Sequence, residues 1–266
     1  MKSRYLFALA TLLCTCFSSW NVEAKVIETS QIQDVVPYLE DNATWVLVDL
    51  DLCFFEGAQA YGHTQWFYDE VEIRKEQGLT REEAIADFYP IWIESQKINK
   101  VQPLDPNFIA ILSTKQASGM PIMGLTQRQP SIAEDTVRQV WSLGFDFLTT
   151  APFQQNFIMQ GKGGPARYLQ GILFVSDYNT KIDVFLSFLN KIGKAPKKVV
   201  FIDDKRKNVD ELEGLANYGI EYTGVHYTAI DHAKPVYDRK IAQFQRKFLN
   251  QILSNEGALL LMQRLE

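Results

Sequence analysis

The sequence predicts an α/β fold around a parallel sheet, on three observations. Short, nearly all-apolar runs of strand length recur along the chain, and stretches with helical periodicity and capping residues alternate with them. The composition also supports a sizeable core: the 266 residues are 46% hydrophobic and 22% charged, with a net charge of −5. A chain of this kind forms one large domain, or a core carrying a smaller insertion, and is too apolar to stay disordered. With 15 Gly, 10 Pro and 3 Cys it is neither collagen-like nor a disulfide scaffold. It has no Lys/Arg run longer than three residues, so a nucleic-acid partner is not expected.

At the N-terminus, Lys2 and Arg4 precede an uncharged stretch from Tyr5 to Trp20. That stretch is shorter than the roughly 20 apolar residues a spanning helix needs. Val22-Glu23-Ala24 puts small residues at −3 and −1 of a cleavage site, so residues 1–24 read as a secretory signal peptide. A periplasmic or secreted protein with no stable membrane span follows; a lipid anchor at Cys14 or Cys16 and an uncleaved anchor are the alternatives. After cleavage only Cys53 remains, so no internal disulfide is expected.

The first buried strand is Thr44 to Asp49, apolar on both faces as a covered parallel strand must be. Asp105-Pro106 has the form of an N-cap followed by Pro at the first helical position, and Gly119 closes that helix. Pro121 to Thr126 is the second strand. Ser131 and Glu134 have capping-box spacing for a helix that runs to Gly144. Ile172 to Ser176 is a third strand, Thr180 to Gly193 a helix, Lys198 to Asp203 a fourth strand and Gly219 to Val225 a fifth. A long helical pattern starts at Pro235. The stretch between the first strand and Asp105 breaks this rhythm. It carries a Thr80/Glu83 capping box and a stripe of Ile85, Phe88, Tyr89, Trp92 and Ile93, with Pro90 expected to kink or end the helix. We therefore expect a helical insertion over 56–102 and a core formed by 25–55 and 103–266.

Three features fall where such a sheet places a site, beyond strand C-terminal ends. Asp49 and Asp51 are two apart, so on an extended segment both carboxylates face the same way. One can attack as a nucleophile while the other moves a proton. Asp203-Asp204 ends the fourth strand, and further carboxylates there call for a hard cation such as Mg²⁺. Thr126 and Lys181 offer the hydroxyl and ammonium that a transferring phosphoryl group needs. Singly each has a bland alternative: a capped strand end, a helix cap near Asn208, a loop hydroxyl, an exposed lysine. Their joint order after predicted strands is what raises them.

In that order the sequence resembles the haloacid dehalogenase superfamily of phosphohydrolases. VLVDLDLCF (Val46 to Phe54), IMGLT (Ile122 to Thr126), Lys181 in NTKIDVFL and VVFIDDKRKN (Val199 to Asn208) resemble its four motifs, over a core from about residue 44 to 226. Together with the signal peptide, the chain looks most like secreted members from Gram-negative bacteria. The resemblance implies a Rossmann-like three-layer sandwich with a small helical cap after the first motif. It implies a Mg²⁺-dependent phosphomonoester hydrolase in which Asp49 forms an aspartyl-phosphate and Asp51 serves as acid and base. Thr126 and Lys181 would bind phosphoryl oxygens, and Asp49, Asp51 (through its carbonyl), Asp203 and Asp204 would hold the metal, Asp203 ahead of Asp204. The partner would be a phosphorylated substrate. Cys53 and Gln127 depart from the common pattern, where Thr and Asn are frequent. The carboxylate at Asp51 favours phosphoryl transfer over dehalogenation. A phosphotransferase, or a secreted binding protein that keeps the fold without turnover, are the alternative functions.

Arg128, two residues after Thr126, is a candidate for holding a second substrate anion. Gly161-Lys162-Gly163-Gly164 lacks a GK[ST] ending and reads as a turn or flap rather than a phosphate cradle. His63 reads as a packed or exposed histidine, His226 and His232 make a poor zinc set, and Cys53 has no activating neighbour in sequence.

Overall fold

The computed structural model describes residues 23–248 and 253–265, so the signal-peptide reading lies outside the described residues save for its last two positions. The strands are β1 (Ala24–Thr29), β2 (Thr44–Val48), β3 (Phe55–Gly57), β4 (Val101–Pro103), β5 (Ile122–Thr126), β6 (Phe157–Gln160), β7 (Pro165–Leu169), β8 (Ile172–Phe174), β9 (Lys198–Asp203) and β10 (Glu221–Tyr227). The α-helices are α1 (Thr64–Glu76), α2 (Arg81–Ile98), α3 (Pro106–Ala117), α4 (Ala133–Ser142), α5 (Lys181–Ile192), α6 (Arg206–Glu211), α7 (Ala229–His232), α8 (Arg239–Gln245) and α9 (Asn255–Leu265).

Eight strands form one sheet in the order β1-β10-β9-β2-β5-β8-β7-β6. The run from β1 to β8 is parallel, and β7 and β6 extend it antiparallel. Chain order reverses on either side of β2, between β9 and β5, which is the switch point at which open α/β sheets form a crevice. β2 is buried throughout and alternates between the two faces: Val46 and Val48 join one core with Phe108, Leu112, Ala133 and Val137, Trp45 and Leu47 the other with Val184, Phe185, Leu212 and Leu215. The sheet is thus the middle layer of three, with α3 and α4 on one face and α5 and a 3-10 segment (Leu212–Tyr218) on the other. The expected five strands are present. β1, the β6–β7 hairpin and the short β3–β4 pair are additional.

Local signals hold at several ends. Asp105 accepts from the Asn107 N–H at 2.8 Å, the Thr80/Glu83 capping box forms, and Gly193 closes α5 in the left-handed conformation. Others give way to tertiary demands. The Ser131/Glu134 box does not form: Pro130–Ile132 is a 3-10 turn, α4 starts at Ala133 without a side-chain cap, and Glu134 pairs with Arg167 on β7 at 2.6 Å. Pro90 neither ends nor splits α2, which runs unbroken from Arg81 to Ile98 with Pro90 on its exposed side and Ala84, Ile85, Phe88 and Trp92 buried.

The insertion is a helical hairpin whose two ends are zipped by the short β3–β4 pair. Arg74 on α1 ties the hairpin together, reaching Glu70 at 2.8 Å and Asp87 on α2 at 2.7 Å with its guanidinium over Phe88. The tail from Pro235, expected as one long helix belonging to the core, is two helices that pack on this cap instead. Ile241, Ala242 and Ala258 bury against Tyr61, Trp66, Phe88 and Trp92, and Gln245 Oε1 accepts from the Tyr61 N–H at 2.8 Å.

Candidate active site

The switch-point crevice gathers the loops after β2, β5, β8 and β9. The Asp49 N–H donates to Ile202 O on β9 at 2.9 Å, which anchors the start of the loop after β2. The chain then turns tightly around Leu50 O, which accepts from the N–H groups of Phe54 and Phe55, each at 3.0 Å. This turn puts Leu52 at φ +62, a left-handed conformation that costs a non-glycine residue on the order of 1–3 kcal/mol. The cost is offset by Phe54, which packs edge-on with Phe108 and Phe145 in the core.

Lys181, at the first position of α5, is 1% exposed and bridges two acids: Nζ lies 2.6 Å from Asp49 Oδ1 and 2.6 Å from Asp203 Oδ2. A buried ammonium survives only because both carboxylates face it, and they hold its pKa above the ordinary lysine value against the desolvation that would lower it. Asp203 has both oxygens taken: Oδ1 accepts from the Lys205 N–H at 2.7 Å, and Asn208 Nδ2 donates to Oδ1 at 3.1 Å and to Oδ2 at 3.0 Å. Asp204 is different, because its Oδ1 is buried without a hydrogen-bond partner. Asp49, Asp203 and Asp204 each bring one carboxylate oxygen within 4.8 Å of the others. Burial, then the neighbouring acids, push the Asp49 carboxyl up to about 7 although Lys181 pulls it down, and the same causes push Asp204 up to about 8. An all-oxygen donor set, an orphaned carboxylate oxygen and acids that resist ionisation together fit a hard divalent cation such as Mg²⁺.

Asp51 stands apart from this cluster. Arg128 grips it in bidentate fashion, Nε to Oδ2 at 2.6 Å and Nη2 to Oδ1 at 2.8 Å, and Thr64 at the start of the cap donates to Oδ1 at 2.9 Å. Desolvation would raise the Asp51 carboxyl, but Arg128 and Thr64 outweigh it and hold it below the usual carboxylate range. Arg128 is itself buried, donating further to Thr136 at 3.0 Å and Gln139 at 2.6 Å with its guanidinium over Phe55. The candidate second-anion arginine is therefore committed to Asp51. Thr126 Oγ1 accepts from the Arg128 N–H at 3.2 Å, which leaves its own hydrogen to donate.

The Gly-rich segment is the turn of the β6–β7 hairpin, and its glycines serve close packing. It presses on the loop that presents Lys181: the Gly163 N–H donates to Asn179 Oδ1 at 2.7 Å, and a Cβ on Gly163 would lie 1.7 Å from Tyr178 O. Gln127 braces the same loop from the other side, donating to Ser176 O at 2.5 Å and to Asn179 O at 2.9 Å. His63 is packed, capping α1 through the Gln65 N–H and lying 3.3 Å from Glu56. His226 sits behind the acidic cluster, with Nε2 3.1 Å from Asp204 O and Nδ1 2.8 Å from Glu28. Cys53 is buried, donates weakly to Ile202 O at 3.6 Å, and has its thiol pushed well up by desolvation, so it is inert.

Sequence reasoning did not single out Thr64, Asn208 or the Lys205–Tyr68 pair, in which Nζ donates to Tyr68 Oη at 2.5 Å. Asn208 carried a usable signal, five residues beyond Asp203 on the first turn of α6. Thr64 and Tyr68 carried none, since only the folded cap brings them over the crevice.

A family model described as a protein of unknown function, DUF2608, matches residues 28–259. The chain belongs to this family. Its relatives include a protein of Chlamydia pneumoniae named "Putative outer membrane protein", 31% identical over 258 residues and 95% of each chain. Proteins of the same name in Chlamydia muridarum and Chlamydia trachomatis are 28% and 25% identical, over 97% of each chain. Among solved structures, a haloacid dehalogenase-like hydrolase of Streptococcus pneumoniae matches with a TM-score of 0.39 at 18% identity, covering 69% of this chain and 94% of that one. Among the described residues of this DUF2608 member, no helix is long and apolar enough to cross a membrane.

Proposed function

We propose that this DUF2608 protein is a Mg²⁺-dependent phosphomonoester hydrolase working through an aspartyl-phosphate on Asp49. The observation that carries the reading is the Asp49–Lys181–Asp203 bridge at 2.6 Å on each side, set beside the orphaned Asp204 carboxylate at the sheet's switch point. Asp49 and Asp204 would hold the cation, with Asp203 behind them: Asp203 is saturated by Lys181, Asn208 and the Lys205 N–H, so we rank Asp204 ahead of it, reversing the order expected from sequence. When bound, Mg²⁺ supplies positive charge against the phosphoryl oxygens and the clustered carboxylates.

The residues then divide the work. An Asp49 oxygen attacks phosphorus as the bond to the leaving oxygen breaks, and water later cleaves the acyl phosphate and frees Asp49. Lys181 has three donor hydrogens and spends two on Asp49 and Asp203, so one remains for a phosphoryl oxygen; the Thr126 hydroxyl offers another donor. Asp51 takes the proton of the water that cleaves the intermediate, and would give one to the leaving oxygen only when itself protonated. Both its oxygens accept hydrogen bonds in this arrangement, which sets it as the acceptor from water and favours leaving groups that depart as weak bases, such as aryl oxides. The N-terminal segment and the relatives' name support export, and we propose the periplasm or the outside of a Gram-negative cell as the protein's place.

The test is hydrolysis of 4-nitrophenyl phosphate with and without Mg²⁺, beside Asp49→Asn. We expect Mg²⁺-dependent turnover that the substitution lowers by about three orders of magnitude or more. A folded protein with no turnover, or turnover that survives the substitution, overturns the reading.

A further inference from the structure

The charges around the crevice are unevenly partnered. Lys181 is shared by Asp49 and Asp203, and Arg128 is held by Asp51. Lys205, the residue after Asp204, makes no ion pair among the described residues, although its charge is felt by Asp49, Asp51, Asp204 and Asp177. Its one side-chain hydrogen bond is to a neutral group, Tyr68 Oη on α1, and Nζ stands 5.1 Å from the centre of that ring. This contact joins the core loop after β9 to the cap helix α1. Lys205 is an exposed residue whose ammonium is partly desolvated, pinned by a phenol and without a carboxylate at ion-pair distance, which places it to meet an anion entering the crevice. It lies between the acidic cluster and the cap helix, where, on the phosphatase reading, the leaving portion of a phosphoester would project.

We propose that Lys205, steadied by Tyr68, is a specificity-determining residue that recognises a second anionic group on the leaving portion of the substrate. The preferred substrate is then a phosphomonoester whose leaving group carries its own carboxylate or phosphate. The proposal rests on the phosphatase reading for the placement of the scissile group, and the experiment separates the two. An exposed ion pair is worth a few-fold in affinity, more when the mouth partly excludes water.

The probes are phenyl phosphate, 3-carboxyphenyl phosphate and 3-phosphonophenyl phosphate, compared as ratios of kcat/KM so that any general loss cancels. The wild-type protein should favour both doubly anionic probes over phenyl phosphate by about fivefold or more. Lys205→Met should bring that ratio to about one, mainly through KM, and Lys205→Arg should restore part of it. A wild-type ratio near one, or a ratio unchanged by Lys205→Met, overturns the proposal. A carboxylate preference without a phosphonate preference, or the reverse, tells which anion the mouth accepts and still supports it. If no probe is turned over, calorimetric binding of the same probes to the Asp49→Asn protein with Mg²⁺ decides the matter: a Lys205-dependent preference supports the proposal while the hydrolase reading falls, and equal or absent binding overturns it.

Discussion

Two adjacent aspartates in the crevice meet different fates, and the difference is testable. Asp203 is wrapped by Lys181, Asn208 and a backbone N–H, so Asp203→Asn removes one of the two carboxylates that face the buried Lys181 ammonium. Breaking a buried pair from one side costs roughly 3–5 kcal/mol, which chemical denaturation will read directly. Asp204 has a carboxylate oxygen that satisfies nothing, so Asp204→Asn should leave the folded protein as stable as wild type or more so without metal, while removing stabilisation by Mg²⁺. Equal destabilisation by the two changes contradicts this assignment. The candidate residues Asp49, Thr126, Lys181, Asp203 and Asp204 were legible in the sequence because each follows a buried apolar run at a fixed offset. The commitment of Arg128 to Asp51 was not: the partners are 77 positions apart, and nothing local sets a guanidinium to face one particular carboxylate.

At the scale of elements, signals that depend only on near neighbours were readable and those that depend on packing were not. The Thr80/Glu83 box closes on itself, whereas Ser131 and Glu134 have the same spacing and form none, since Arg167 on a distant strand captures Glu134. The helical pattern after Pro235 was visible, but its apolar face packs on the cap rather than the core, where Ile241, Ala242 and Ala258 meet Trp66, Phe88 and Trp92. The Gly-rich segment read as a turn, and it is one. What packing adds is the reason for Gly163, whose missing side chain lets the hairpin rest on the loop before Lys181. Gly163→Ala must push Tyr178 away, because 1.7 Å is far inside contact distance. We expect a loss of about 1–3 kcal/mol in stability together with weaker substrate turnover, as Lys181 shifts with its loop. Gly78→Ala, at φ +101 with nothing within 4 Å of the added Cβ, is the contrasting control: it should cost stability through backbone strain alone and leave turnover unchanged.

For the whole molecule, the crevice sets a pH dependence. Asp49 and Asp204 have carboxyls raised from 3.8 to about 7 and about 8 in the folded, metal-free state. The native protein then binds more protons than the unfolded chain between about pH 4 and 8, so these two groups make stability fall as pH rises through that window. Asp51, held low by Arg128, acts in the opposite sense and only at more acid pH. Mg²⁺ binds the ionised acids, so its stabilising effect on Tm should be larger at pH 8 than at pH 5, and Asp204→Asn should flatten the difference. An equal Mg²⁺ effect at both values contradicts the site. The sheet's parallel strands and the crevice they create were foreseeable from the alternation of apolar runs and helical patterns, while the antiparallel edge and the C-terminal contribution to the cap emerge only when the whole chain is assembled. The central claim is that Asp49 becomes phosphorylated, and the direct measurement is borohydride trapping during turnover of 4-nitrophenyl phosphate, followed by peptide mass spectrometry. The account predicts reduction of the acyl phosphate to homoserine at position 49, dependent on both substrate and Mg²⁺. Turnover with position 49 unmodified, or with the modification at Asp51, would contradict it.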